Sequence, residues 1–210
     1  MLASYGMGLA VLLGAVMLEF SLGIPVGELT RDTVNSQGLP PYMGAISNLG
    51  VLLWCATVTL CLFTAYLLRQ TRGHRPFPSS FFLTAAALTA ALMFDDLFIL
   101  HEWLLPRYLG IPELATYCAY ATGGMAFLLY FRNTIVAHTH FLLLLTSVVF
   151  LCSSIVADTL TNSMPDSSGK FFIEDGLKLL GICGWFSYFA HTSMQVTGRF
   201  LRVSAAEPRS

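Results

Sequence analysis

The chain of 210 residues is 55% hydrophobic and only 11% charged, and its mean hydropathy is +0.68. Because soluble domains carry about 25% charged residues, this composition excludes an ordinary soluble protein and predicts a multi-pass membrane protein. The formal net charge is −1 and no basic cluster is interleaved with aromatic residues, which excludes nucleic acid as a partner.

Six apolar runs are each near the length of about 20 residues that a helix needs to cross a bilayer. In chain order they cover residues 4–24, 45–68, 80–105, 114–131, 141–160 and 176–200. The segments between them are short and are punctuated by prolines, which favour helix boundaries. The sequence therefore predicts an all-α fold, with about six transmembrane helices in one compact bundle. We expect a single domain over residues 1–202 and a disordered tail over residues 203–210.

Lysine and arginine are distributed unequally between the connecting segments. One side carries Arg69, Arg72, Arg75, Arg132 and the tail residues Arg199, Arg202 and Arg209, whereas the other carries Arg31, Arg107 and Lys170. Positive residues are concentrated in cytoplasmic loops, so this bias predicts that the N and C termini are both cytoplasmic. In a bacterium, the protein would lie in the plasma (inner) membrane.

The third run contains an unusual concentration of charge in its second half. Asp95, Asp96, His101 and Glu102 all fall there, and ionisable groups inside a membrane are costly and often functional. In a continuous α-helix, Asp95 and Glu102 share a face because they are seven residues apart. His101 is predicted to project to another side, where Asp158 of the fifth run lies at a similar depth and is a plausible partner.

Further polar groups fall in the same outer half of the predicted bundle. Asp158 lies late in the fifth run, and Glu174, Asp175 and Lys178 lie at the start of the sixth. Glu174 and Lys178 are four residues apart in the order that favours an ion pair on a helix. The topology therefore predicts one outward-facing cavity in which these groups meet the charges of the third run.

The first functional hypothesis is a metal-dependent enzyme within the membrane. Carboxylates with a histidine suit a divalent metal such as Fe, Mn, Mg or Zn, which could activate water or a redox partner. The predicted ligands are Asp95, His101, Glu102, Asp158, Glu174 and Asp175. The predicted catalytic groups are Asp95, Asp96, Glu102, Asp158 and Lys178. Such an enzyme would be a hydrolase or oxidoreductase acting on a lipid-like substrate from the surrounding bilayer.

Two other classes of protein remain open. A non-catalytic structural or assembly subunit, forming a homo-oligomer or joining a partner membrane subunit, suits the small size and short loops. A proton- or cation-coupled transporter would use the acids and His101 as a relay. The other histidines are less informative. We expect His138 and His140 to lie in an exposed loop, and His191 to be a satisfied histidine, one with its hydrogen bonds made, inside the bundle.

Overall fold

A computed structural model describes residues 2–30, 42, 44–70, 77–161 and 168–206. Over these residues the chain is helical and contains no strand, which confirms the predicted all-α class. The helices are α1 (Leu2–Leu22), α2 (Val26–Thr30), α3 (Ala45–Gln70), α4 (Ser79–Phe98), a π-helix (Leu100–Leu109), α5 (Glu113–Tyr130), α6 (Arg132–His138), α7 (Phe141–Thr161) and α8 (Ser168–Ala206). The first four residues of the expected tail, 203–206, thus continue α8, and 207–210 lie outside the described residues.

Three helices are long and apolar enough to cross a membrane: α3, α4 and the Phe141–Leu160 part of α7. A fourth span is added if α5 and α6, which are bent by 63° at their junction, together form one broken crossing. These features are consistent with a membrane protein. The finer count of six spans and the placement of the two termini stay predictions.

The predicted third run, 80–105, is not one continuous α-helix. The α-helical part ends at Phe98, and Ile99 adopts a left-handed conformation before the π-helix begins. The expectation of an uninterrupted helix was wrong here because neither glycine nor proline marks the break in the sequence. Because of this break, the side chains that can contact Asp95 differ from those expected in a continuous α-helix.

The chain divides into two compact units, each built from two segments. The first unit comprises Met1–Leu53 and Leu142–Ser187, and the second comprises Trp54–Phe141 and Tyr188–Ser210. Each unit has its own buried residues and its own polar contacts. The expectation of a single domain over 1–202 stays a prediction.

Close helix packing in the first unit depends on glycine. A Cβ added at Gly181 would lie 2.7 Å from Cγ and 3.0 Å from the backbone nitrogen of Leu151 on α7. At the same interface the Ser147 hydroxyl donates to the carbonyl oxygen of Gly181 at 2.7 Å. Small residues let helix backbones approach in this way where lipid removes the usual hydrophobic drive between helices.

An aromatic cluster forms the core of the second unit. Phe81 of α4 is fully buried, and its ring contacts the rings of five other phenylalanines. These are Phe77, Phe82, Phe127, Phe131 and Phe189, with centroids 5.1–6.3 Å from that of Phe81. Aromatic rings bury large apolar areas, so this cluster holds α4 against α5 and α8 and fixes the helices that carry the candidate site.

Candidate functional site

The end of α4 has a backbone conformation that is costly for its residue. Ile99 has φ 49° and ψ 50°, in the left-handed region that β-branched residues rarely adopt. Its N–H donates to the carbonyl oxygen of Asp95, and its own carbonyl oxygen accepts the N–H of Leu104 at 3.3 Å. Left-handed non-glycine residues and π-helical turns are both concentrated at functional sites. The break therefore makes this region of the second unit a candidate functional site.

Asp95 and His101 form a buried pair across the break. Oδ2 of Asp95 lies 2.6 Å from Nδ1 of His101, and Oδ1 accepts the backbone N–H of His101 at 3.0 Å. The two residues are only 4% and 7% exposed. In a continuous α-helix, positions six apart would point about 120° away from each other. The prediction that His101 projects away from Asp95 is wrong because Ile99 redirects the chain.

The second nitrogen of His101 faces another carboxylate. Nε2 lies 3.4 Å from Oε1 of Glu102, whose side chain is 55% exposed. The imidazole thus stands between a buried acid and an exposed one. Its ring also lies 5.0 Å, centroid to centroid, from that of Tyr117 on α5.

Asp96, the neighbour of Asp95, has a partner on a different helix. Nε1 of Trp54, which is buried on α3, donates to Oδ2 of Asp96 at 2.7 Å. The hydroxyl of Tyr120 on α5 lies within hydrogen-bonding reach of Asp95. Three helices and the π-helix of the second unit therefore meet at Asp95, Asp96 and His101.

The remaining predicted site residues belong to the first unit. Asp158 lies on α7, and Glu174, Asp175 and Lys178 lie on α8. Within that unit, the Ser154 hydroxyl donates to the carbonyl oxygen of Glu174 at 3.0 Å and so joins α7 to the start of α8. That these four residues meet Asp95 in one cavity stays a prediction.

Three of the six predicted metal ligands lie next to one another. Across the described parts of the chain, no group of three or more His, Cys, Asp or Glu side chains is arranged to hold a metal ion. The structure groups Asp95, His101 and Glu102, in which each nitrogen of the single imidazole faces a carboxylate. The full set of six ligands stays a prediction.

His101 lies beyond the α4 span, and its surroundings favour the imidazolium. Burial acts to lower its pKa, but hydrogen bonds and negative charge from Asp95 and Glu102 outweigh burial and raise the pKa to about 10. The two neighbouring carboxylates therefore favour the protonated form of the imidazole.

This shift predicts the direction in which stability depends on pH. Because the pKa of His101 is raised from 6.5 to about 10, its contribution is fully present below pH 6.5 and is lost as the pH rises through about 10. We expect the melting temperature of the detergent-solubilised protein, followed by circular dichroism, to fall across this interval. The His101→Gln variant has no imidazole to titrate and should show a flatter curve. Parallel curves for the two proteins would contradict the prediction.

Together these features define a helical protein with three to four candidate membrane spans and a buried aspartate–histidine pair next to a break in a helix. Residues 6–192 match the family model described as "Domain of unknown function (DUF8692)", and the chain belongs to that family. The match includes every candidate site residue. No curated protein and no solved structure matches the chain.

Proposed function

We propose that this is a proton-coupled multi-pass membrane protein in which His101 passes a proton between Asp95 and Glu102. The observation that carries the proposal is the 2.6 Å contact between Oδ2 of Asp95 and Nδ1 of His101, both buried. Ionisable groups at such positions in membrane proteins often belong to proton routes.

The imidazole is suited to this transfer because its two nitrogens face different acids. A histidine can take up a proton at one nitrogen and release it from the other. Here Nδ1 faces the buried carboxylate of Asp95, and Nε2 faces the exposed carboxylate of Glu102 at 3.4 Å. Glu102 would exchange protons with water, and Asp95 would receive them inside the protein.

Neighbouring groups would hold Asp95 and Asp96 in place while the charge changes. Trp54 donates to Asp96 at 2.7 Å, which orients that carboxylate toward α3. The Tyr120 hydroxyl lies next to Asp95 and extends the network toward α5. The Tyr120 contact gives a protonation change at Asp95 a direct route to α5, and the bond to α3 is made by the adjacent residue Asp96.

The proposed arrangement in the membrane keeps six crossings and both termini in the cytoplasm. The third crossing is shortened to Ser79–Phe98, so that His101 and Glu102 lie just beyond its non-cytoplasmic end. Protons would then enter from outside through Glu102. In a bacterium the membrane would be the plasma (inner) membrane.

The metal-dependent enzyme is a second candidate, and one contact favours it. Histidine ligands commonly donate their other ring N–H to a carboxylate, as Nδ1 could to Asp95. Nε2 and Glu102 would then hold Fe, Mn, Mg or Zn, and the substrate would be lipid-like. Metal analysis of the purified protein and of His101→Ala tests this candidate, and equal metal content in both would remove it.

Proton flux tests the relay directly. The key variant is Glu102→Gln, because it removes the exposed acid of the relay and leaves both side chains of the buried pair in place. In vesicles that enclose a pH-sensitive dye, we expect it to lower proton flux by about tenfold or more, the scale of a lost proton-transfer group. Asp95→Asn should have a similar effect.

The matched control is Glu113→Gln, the same change at the first turn of α5 in the same unit. It should keep the wild-type flux. If wild-type vesicles never exceed empty ones, or if Glu102→Gln matches wild type, the relay is wrong. A non-catalytic subunit, assembled as a homo-oligomer or with a partner membrane subunit, would then be the better explanation.

A further inference from the structure

Two histidines that play no part in the relay lie against each other in the second unit. The ring centroids of His140 and His191 are 4.5 Å apart, with an angle of 84° between the planes. His140 lies in the connection between α6 and α7, and His191 lies on α8. Both side chains are exposed. The expectation that His191 is a satisfied histidine inside the bundle is therefore wrong.

A partly buried hydrogen bond between two side chains lies next to this pair. The hydroxyl of Tyr188, a residue only 1% exposed, donates to Oγ1 of Thr139 at 3.1 Å. Oγ1 of Thr139 in turn donates to the carbonyl oxygen of Ile135 at 2.6 Å. Thr139 precedes His140 directly, and Tyr188 lies three residues before His191 on the same side of α8. The backbone segments that carry the two imidazoles are thus held close together.

We infer that His140 and His191 form a binding site for a late first-row divalent transition metal, for which Zn²⁺ is the probe. Imidazole is a preferred ligand of zinc, copper and nickel ions. Edge-to-face contact between two exposed rings buries little apolar area, so packing alone is a weak reason for the pairing. Exposure also lets a hydrated ion enter and keep water in its remaining coordination positions.

A neutral imidazole nitrogen is the commonest metal ligand that side chains offer. A bound ion would link the connection between α6 and α7 to α8, and the inference is independent of the proton relay.

The site is tested by measuring zinc binding to the full chain in detergent. The protein is purified with a tag that contains no histidine. We expect one Zn²⁺ per chain in competition with a chromophoric chelator. His140→Ala and His191→Ala should each weaken binding by about tenfold or more, at least the effect of losing a group that supports a metal ligand. Mg²⁺ should not compete, because it prefers oxygen ligands.

Two control variants make the result specific. His138→Ala removes a nearby exposed histidine whose ring packs edge-on against Phe77 at 5.9 Å, and it should keep wild-type affinity. Glu102→Gln should keep it too. Unchanged zinc affinity in both His140→Ala and His191→Ala would overturn the inference. An equal loss of affinity in His138→Ala would also overturn it, because it would indicate unspecific binding by a histidine-rich loop. Loss confined to Glu102→Gln would place the zinc at the relay and also overturn it.

Discussion

Replacing His101 with leucine is expected to lower the free energy of unfolding by about 3–5 kcal/mol, the range found when one partner of a buried ion pair is removed. The reason is that Asp95, only 4% exposed, would keep its charge without the imidazole 2.6 Å away. Reversible unfolding of the protein in mixed micelles gives the free energies of the two proteins.

Two comparisons separate a buried ion pair from a general packing defect. Glu102→Gln removes the more exposed acid and should cost less than about 1 kcal/mol, as surface ion pairs do. In the double variant Asp95→Asn/His101→Leu, the buried charge is gone and an amide oxygen remains for the N–H of residue 101. It should recover more than half of the stability lost in His101→Leu. If His101→Leu costs no more than Glu102→Gln, the pair does not stabilise the fold.

A methyl group at Gly181 should disrupt the packing of α7 against α8. Overpacking typically costs about 1–3 kcal/mol, and here the added Cβ would lie 3.0 Å from a backbone nitrogen as well as 2.7 Å from the Leu151 side chain. Backbone cannot rotate aside as a side chain can. We therefore expect Gly181→Ala to be destabilising in the micelle assay, although alanine is the better helix former by about 1 kcal/mol.

Gly14→Ala on α1 is the matched control for this substitution. Apart from the adjoining backbone of α1 itself, no heavy atom of the described residues lies within 4 Å of the Cβ that would be added there. The same chemical change should therefore leave stability unchanged or raise it by up to about 1 kcal/mol through helix propensity. Equal effects of the two substitutions would mean that close approach at Gly181 does not limit packing.

Composition alone was sufficient for the fold class, because a charged fraction of 11% leaves few alternatives to apolar helices. The sequence also singled out Asp95, Asp96, His101 and Glu102 as site candidates, because these four ionisable residues stand out in an apolar run. The pairing of Asp95 with His101 was beyond its reach. That pairing depends on a left-handed isoleucine, a conformation that residue identity argues against.

Trp54 was missed for a different reason. It lies in an apolar run and looks like any other membrane residue, but an indole N–H that is buried needs an acceptor. That requirement can be read from the sequence, although the sequence does not show which carboxylate accepts the hydrogen bond. The expected meeting of Asp158, Glu174, Asp175 and Lys178 with Asp95 relied on depth along idealised helices, which cannot say which helices are neighbours.

The bond from Trp54 to Asp96 gives the native chain an optical probe of its own. An indole whose N–H points at a carboxylate changes its emission when the electric field of that carboxylate changes, and here the two groups are 2.7 Å apart. Asp96 is the direct sequence neighbour of Asp95. Events at the buried acid can thus be followed through the emission of Trp54, without an attached dye, once the other tryptophans, Trp103 and Trp185, are replaced.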